Sequence, residues 1–418
     1  MKKVSLLLVS ALAIGLIGCG KSYSNVAPET GTEVVETQGE MTPEEGASLV
    51  IWEDSDTRIE YMEYVAEKFK EKYNVDVTVE KVADFSSKLI QDGPAGLGPD
   101  LLEAPHDQAG TLLTAGLVQP NDTTVEEVKT AFPTTVSESL TYEDKLYGYP
   151  LTVATYVMIY NKDLVEQAPE TFQDIIDFAQ TFNNPADNKY ALMWQVSNSY
   201  FSHAFIAGYG GYVFGNNGVD INDIGLNSDG AVQGLTYLKS LKTILDVNSS
   251  DIDMQIIDGL FASGKVAYTI SGQWSVTQYQ NAGLNVGVCV LPKMANGEYP
   301  LPYLGVQTLY VSSYTKYPNA AKLFAEMASS EEMLEKRYEI TAEIPARISL
   351  MESDKIKSNE VTTVFMQQAQ NSVPMPSVAQ MNTTWTPYQN AIKAVWDNDV
   401  DPKEALNTCV DTIKSLME

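Results

Sequence analysis

Basic side chains are scarce in this chain. Guanidinium groups come only from Arg58, Arg337 and Arg347, and the 27 lysines and arginines face 55 aspartates and glutamates, a formal charge of −28 over 418 residues. A field of that sign repels polyanions, which excludes nucleic acid, phosphorylated ligands and an anionic membrane surface as the main partner. Carboxylates and phosphates are usually held by guanidinium forks, so a ligand of this chain is expected to be neutral. Histidine is scarcer still. His106 and His203 are too few for a His-rich metal cluster, and neither a metal nor a cofactor is expected. Tyrosine and tryptophan, 23 and five of them, are plentiful by comparison.

Long apolar runs are missing apart from Val4 to Ile17, which follows "MKK" and is shorter than the roughly 20 residues a spanning helix needs. A basic start and a short apolar run make a secretory signal, residues 1–18. It ends in "LIGC", Leu16 to Cys19, which resembles the lipobox of bacterial lipoproteins and implies lipidation of Cys19. Residues 19–47 are rich in Ser, Thr, Glu and Gly, have almost no large apolar groups, and read as a lipidated, solvated tether. Two thiols remain. Cys289 lies in the strand pattern "VGVCVLP" and Cys409 in the helical run 402–417. A disulfide between them is possible on count alone, but a large domain does not need the staple and buried free thiols are favoured.

The length exceeds what one core usually organises, so two domains are expected. Strands alternate with helices, the pattern of an α/β architecture with mainly parallel sheets. "SLVIWED" reads as a first buried strand. The helix after it puts Ile59, Met62, Val65, Ala66 and Phe69 on one face, with Thr57 and Glu60 spaced as a capping box. "VDVTVEKV" is a second strand, "FSSKLIQDG" a short helix, and "GPDLLEAPHDQAG" a third strand running into a loop. "KLYGYPLTVATYVMIYNKDLV" is too long for one ordinary strand and suits a chain passing from one sheet into another.

Seven segments, "LVIWEDSD", "GPDLLEAPHDQAG", "AGLVQP", "LYGYPLTVATYVMIYNKDL", "FASGKVAYTISGQW", "VGVCVLP" and "MPSVAQMNTTW", resemble in order those of the maltodextrin-binding proteins, solute receptors of ABC importers. The resemblance implies a two-lobed, periplasmic-binding-protein-like α/β fold with crossover strands between the lobes and a ligand cleft. Its N-terminal lobe would hold 48–152 and 309–355, and its C-terminal lobe 153–308 and 356–418. It further implies a monomeric receptor on the outer face of the cytoplasmic membrane, as on a Gram-positive cell surface. That receptor would be held by lipid alone and would deliver maltodextrins to the transmembrane subunits of an ABC permease.

Trp274, which leaves a strand-like run behind Gly272, matches a family tryptophan that stacks on a glucosyl ring; Trp385 and Tyr200 match further stacking aromatics. Such stacking works because the C–H face of a pyranose covers an aromatic ring while its hydroxyls reach sideways to polar groups. Asp56 and Asp107 match carboxylates that accept hydroxyl hydrogen bonds, and Gln108 stands where a basic residue often follows. Independently, ligands of open α/β sheets lie beyond the carboxyl ends of parallel strands, where Asp56, Asp107 and Trp274 fall. The chain also departs from the family. Ala104 and Pro105 replace an aromatic before "HD", Ala154 replaces a glutamate, and Asn198 and Ser199 replace an acidic–proline pair. Loss of those contacts implies a shifted chain-length preference. Glu53, Asp54, Asp56 and Asp107 have the chemistry of glycoside hydrolase carboxylates, but nothing marks a catalytic pair and no enzymatic activity is expected. A receptor for another neutral oligosaccharide, or a polysaccharide adhesin or sensor, would use the same cleft. The glycine-rich "GYGGYVFGNNG" lacks phosphate-loop spacing and reads as a loop.

Overall fold

The structure is a computed structural model that describes residues 41–83 and 85–418. The signal, Cys19 and most of the tether lie outside the described residues. Among those described, no helix is long and apolar enough to cross a membrane.

Among the described residues there are fourteen strands, of which all but one fall into two main sheets and a hairpin. In chain order they are β1 (Ser48–Glu53), β2 (Asp76–Lys81), β3 (Leu101–Pro105), β4 (Thr141–Tyr142), β5 (Lys145–Leu146), β6 (Tyr149–Ala154) and β7 (Tyr156–Asn161), followed by β8 (Tyr190–Met193), β9 (Asp220–Ile224), β10 (Val266–Gly272), β11 (Val286–Cys289), β12 (Tyr303–Val311), β13 (Ile344–Pro345) and β14 (Val373–Pro374). A seven-stranded sheet runs β13-β6-β12-β3-β1-β2, with β14 added beside β12, and a four-stranded sheet runs β11-β7-β10-β8. The exception is β9, which makes only isolated bridges to Phe214 and Gly215. Each sheet organises one lobe.

The long apolar run divides as its length suggested. Only Thr155 separates β6 in the large sheet from β7 in the small one. The sheets are mixed, however, not mainly parallel. β1 pairs in parallel with β2 and β3, and β10 with β8, while β12 runs antiparallel to both β3 and β6 and β7 runs antiparallel to β10 and β11. A chain that crosses between sheets comes back in the opposite direction, and each crossing costs a sheet its parallel order.

The first helix, Asp56–Tyr73, buries Tyr61, Met62, Val65 and Phe69 against the core, while Ile59 and Ala66 are half-buried at the edge of that face. Its start corrects the capping-box reading. Ser55 is the N-cap, and its carbonyl accepts the Ile59 N–H at 2.9 Å, but its side chain caps no N–H and its Oγ lies instead 3.3 Å from the hydroxyl of Thr57, which is already inside the helix. The segment after "GPDLLEAP" also differs from a loop, since a 3₁₀ turn at His106–Gln108 leads directly into a helix, Ala109–Thr114. The last residues assigned to the tether are docked. Glu44 accepts the free N–H groups of Asn319 and Ala320 at 2.7 and 3.1 Å, capping the helix Pro318–Ala328, while Met41 and Ala47 pack on the core. Composition hid this because one carboxylate meeting a helix N-terminus suffices. Cys289 and Cys409 are free thiols, half-buried and buried, and burial pushes both up to about 12.

Candidate functional site

A cavity of about 750 Å³ lies where the two sheets meet. The large-sheet side contributes Ser55, Thr57 and Arg58 from the N-cap and first turn of the first helix, Pro105 at the end of β3 and Asp107 after it, Gln307 from β12, and Thr341 and Glu343 before β13. From the other side come Asn198, Ser199 and Tyr200, then Gln273, Trp274 and Thr277, then Trp385 and Gln389. Ala154 and Thr155 line it at the crossover between β6 and β7.

The aromatic residues singled out from sequence converge here. Trp274, in the first turn of the helix Gln273–Asn281, is 50% exposed, unusual for a tryptophan in a chain where Trp52, Trp194 and Trp396 are fully buried and Trp385 is half-buried. Gly272 does not enable this by an unusual backbone, since its φ of −88° is open to any residue. Its role is room: a Cβ there would run into the Trp274 ring, which lies back over the glycine. Tyr200 and Trp385 flank Tyr303 at centroid distances of 6.0 and 6.1 Å, the first stacked and the second edge-on, which makes a continuous aromatic wall. Tyr200 is fixed by the Asn198 side chain, which caps its N–H at 3.0 Å, and by the Tyr156 hydroxyl, which donates to its carbonyl at 2.6 Å.

The polar residues divide. Asp107 lines the cavity, is 9% exposed, and its Oδ1 has no hydrogen-bond partner. Burial pushes its carboxyl up to about 6, against a smaller pull from the backbone N–H groups of Asp107 and Gln108. Asp56 and Gln108 are not among the lining residues. The Asp56 carboxylate is exposed and accepts from Lys81 Nζ at 2.6 Å, so it serves the outer edge of the sheet where β2 passes. Lys81 follows Asp56 by 25 positions and no local pattern joins them. Gln108 occupies the end of the 3₁₀ turn.

Sequence reading missed a cluster of charges at one end of the cleft. Arg58 and Arg337 face Glu53, Glu103 and Glu343, with two of the three arginines of the chain and strand ends β1, β3 and β13 brought to one place. Arg337 is fully buried and donates two bonds to Glu103, at 2.9 and 2.6 Å, and bonds of 3.1 and 2.8 Å to Glu343, over the Tyr61 ring. Arg58 Nη2 lies 2.8 Å from Glu343 Oε1, whereas its Nη1 stands 3.7 Å from Asp54 and 3.9 Å from Glu53, beyond hydrogen-bonding reach of either. Burial, with repulsion from Glu103, raises Glu53 above the usual carboxylate range, against the pull of Arg58 and Arg337. Burial also opposes the charge on Glu343, but Arg337 and Arg58 outweigh it and hold the group below its usual range. Both guanidiniums are thus engaged by carboxyl groups of the chain itself.

Contacts crossing the cleft are few. Gln273 Nε2 donates to the Ala342 carbonyl, and Asn382 Nδ2 donates to Thr111 Oγ1 at 2.7 Å. His106 pins the crossover from below: its Nδ1 accepts from Val306 N–H at 3.0 Å, so its Nε2 carries the proton donated to the Met375 carbonyl at 2.9 Å. Burial lowers His106 to about 4 and keeps it neutral.

The geometry is that of an aromatic-walled trough in which the cation Arg58 is paired with Glu343, suited to an uncharged polyol with apolar faces. Residues 64–363 match the model of the bacterial extracellular solute-binding protein family. A galactooligosaccharide-binding protein of Bacillus subtilis (strain 168) is 33% identical across 100% of this chain and 98% of its own length. The maltodextrin-binding protein MdxE of the same organism is 31% identical across 99% and 97%. Among solved structures, a cyclo/maltodextrin-binding protein complexed with maltotetraose superposes with a TM-score of 0.81 at 37% identity, over 89% of this chain and 97% of that one.

Proposed function

The chain belongs to the bacterial extracellular solute-binding proteins, and from that premise we propose that it captures α-1,4-gluco-oligosaccharides in the cleft and delivers them to an ABC permease. The observation that carries this reading is the half-exposed Trp274 lining, together with Tyr200 and Trp385, one cavity of about 750 Å³. Trp274, Tyr200 and Trp385 form the stacking platform, and Asp107 accepts sugar hydroxyls. Asp56 stays in the proposal only as a second-rank contact, since in this arrangement its carboxylate is held by Lys81. The lobes are taken as 48–152 with 309–355, and 153–308 with 356–418, with the β6–β7 step at Thr155 one of the crossings between them. Ligand bridging both lobes favours closure, because contacts to the far lobe exist only in the closed form. The receptor acts as a monomer, held at the outer face of the membrane by a lipid on Cys19, and it releases its cargo intact. Because the relatives include a galactooligosaccharide-binding protein, a galactooligosaccharide is the competing ligand.

Calorimetric titration with maltotetraose and 1,4-β-galactotetraose tests the reading: tight binding of the first is expected, with the radius of gyration falling on addition and the sugar recovered uncut. Preference for the galactooligosaccharide would reassign the cargo. Accumulation of shorter glucans in proportion to protein would overturn the receptor role.

Affinity should also depend on pH. Tyr200, Tyr303 and Tyr310 face Asp107, and no cation offsets its burial. Sugar hydroxyls donate to the ionised carboxylate, so binding is full well above pH 6 and weakens as Asp107 takes up a proton, by about tenfold at pH 5. For the empty protein the sign is opposite. The folded state keeps this proton to about pH 6 and the unfolded state to about 3.8, so stability falls as pH rises through that window. Equal maltotetraose affinity at pH 5 and 7.5 would remove Asp107 from the ligand.

A further inference from the structure

Six buried side-chain oxygen or nitrogen atoms among the described residues have no hydrogen-bond partner: Glu53 Oε2, Asp107 Oδ1, Tyr303 Oη, Gln307 Oε1, Tyr310 Oη and Arg347 Nε. Leaving such a group unsatisfied is costly, and each one calls for an explanation. Only Asp107 and Gln307 also line the cleft. They sit close together in the fold, since Gln307 on β12 is the register partner of Pro105 at the end of β3, and Asp107 follows two residues later. The register of β12 against β6 shifts between Gln307 and Thr308, an irregularity of the kind that re-aims a side chain beside a site.

Both orphaned atoms are acceptors. A cleft floor with two unmatched acceptors discriminates by donor count. It accepts hydroxyl groups, gains nothing from ether or O-methyl oxygens, and disfavours carboxylates, which bring further acceptors. We propose that Gln307 Oε1 and Asp107 Oδ1 each accept a hydrogen bond from a hydroxyl of the bound saccharide, which makes Gln307 a specificity-determining residue of this cleft. The inference rests on the saccharide-receptor reading and adds to it a residue that sequence comparison of motifs did not single out. Gln307 sits between the buried Val306 and Thr308 on a strand whose apolar neighbours hide its role, and only the unpartnered oxygen reveals it.

The test uses the full chain with Q307M, which keeps the length of the side chain and removes the acceptor, and Q307E, which keeps an acceptor. Maltotriose and its set of monodeoxy analogues are the probes. Q307M is expected to bind maltotriose about tenfold more weakly than the wild type while melting at a similar temperature. The wild type should reject at least one monodeoxy analogue by a similar factor, and that penalty should vanish in Q307M. Q307E should hold its affinity at pH 8 and lose it more steeply than the wild type on acidification, because two carboxylates then share the floor. If the wild type binds maltotriose and Q307M binds it equally, or if every deoxy penalty survives in Q307M, the role of Gln307 falls while the receptor reading stands. If the wild type binds neither maltotriose nor galactotriose, both fall together.

Discussion

Trp274→Ala should lose at least about 2 kcal/mol of maltotetraose affinity, roughly thirtyfold, while the protein melts almost as before. The two halves of this expectation come from one number, the 50% exposure of the indole. The exposed half is the surface a pyranose can cover, and aromatic residues placed like this are the usual energetic centres of a binding site. The covered half lies over Gly272 and carries only part of the roughly 1.5–3 kcal/mol that full burial of a large apolar side chain supplies. Removing a wholly buried tryptophan such as Trp194 would instead cost about 3–5 kcal/mol of stability. Titration calorimetry and a thermal melt on the same sample separate the outcomes. A large drop in melting temperature with unchanged affinity would show that Trp274 belongs to the core, and the platform would be lost.

Arg337→Met should destabilise the fold by about 3–5 kcal/mol. The guanidinium is fully buried and makes four hydrogen bonds to Glu103 and Glu343. Its removal leaves the buried carboxylate of Glu103 facing only Arg58 Nε at 3.5 Å. A buried pair contributes little net stability when intact, because desolvation of both charges offsets their attraction; breaking it on one side leaves the desolvation without the attraction. The double change Arg337→Met with Glu103→Leu should therefore recover much of the loss. Denaturant titration of the wild type, the single and the double variant checks this. A double variant no more stable than the single one would mean that the cluster contributes by shape and not by charge balance.

The cluster also bears on the cleft. Arg58 and Glu343 are both lining residues, and Arg337 orients Glu343 from behind. With Arg58 bonded to Glu343, a cavity that contains an arginine still suits an uncharged ligand. The scarcity of arginine pointed the same way for a different reason: two of the three guanidiniums are committed to internal carboxylates and cannot serve as forks for an anionic cargo.

By itself the sequence determined those features whose cause lies within a few residues. The apolar spacing Met62, Val65 and Phe69 dictated the buried face of the first helix, and the β-branched run around Thr155 dictated a strand too long for one sheet. The resemblance carried by short ordered segments located Asp107, Tyr200, Trp274 and Trp385, all of which line one cavity. What only the tertiary structure decided are partnerships between distant positions: Asp56 with Lys81, Glu44 with the helix at Pro318, and Arg58 with Glu343, 285 residues away. The antiparallel return of β12 and the orphaned oxygen of Gln307 belong with them. Periodicity and propensity encode how a segment meets water and core. They carry no record of which charge or acceptor another crossing of the chain will bring alongside, because that is set by how two sheets share one chain.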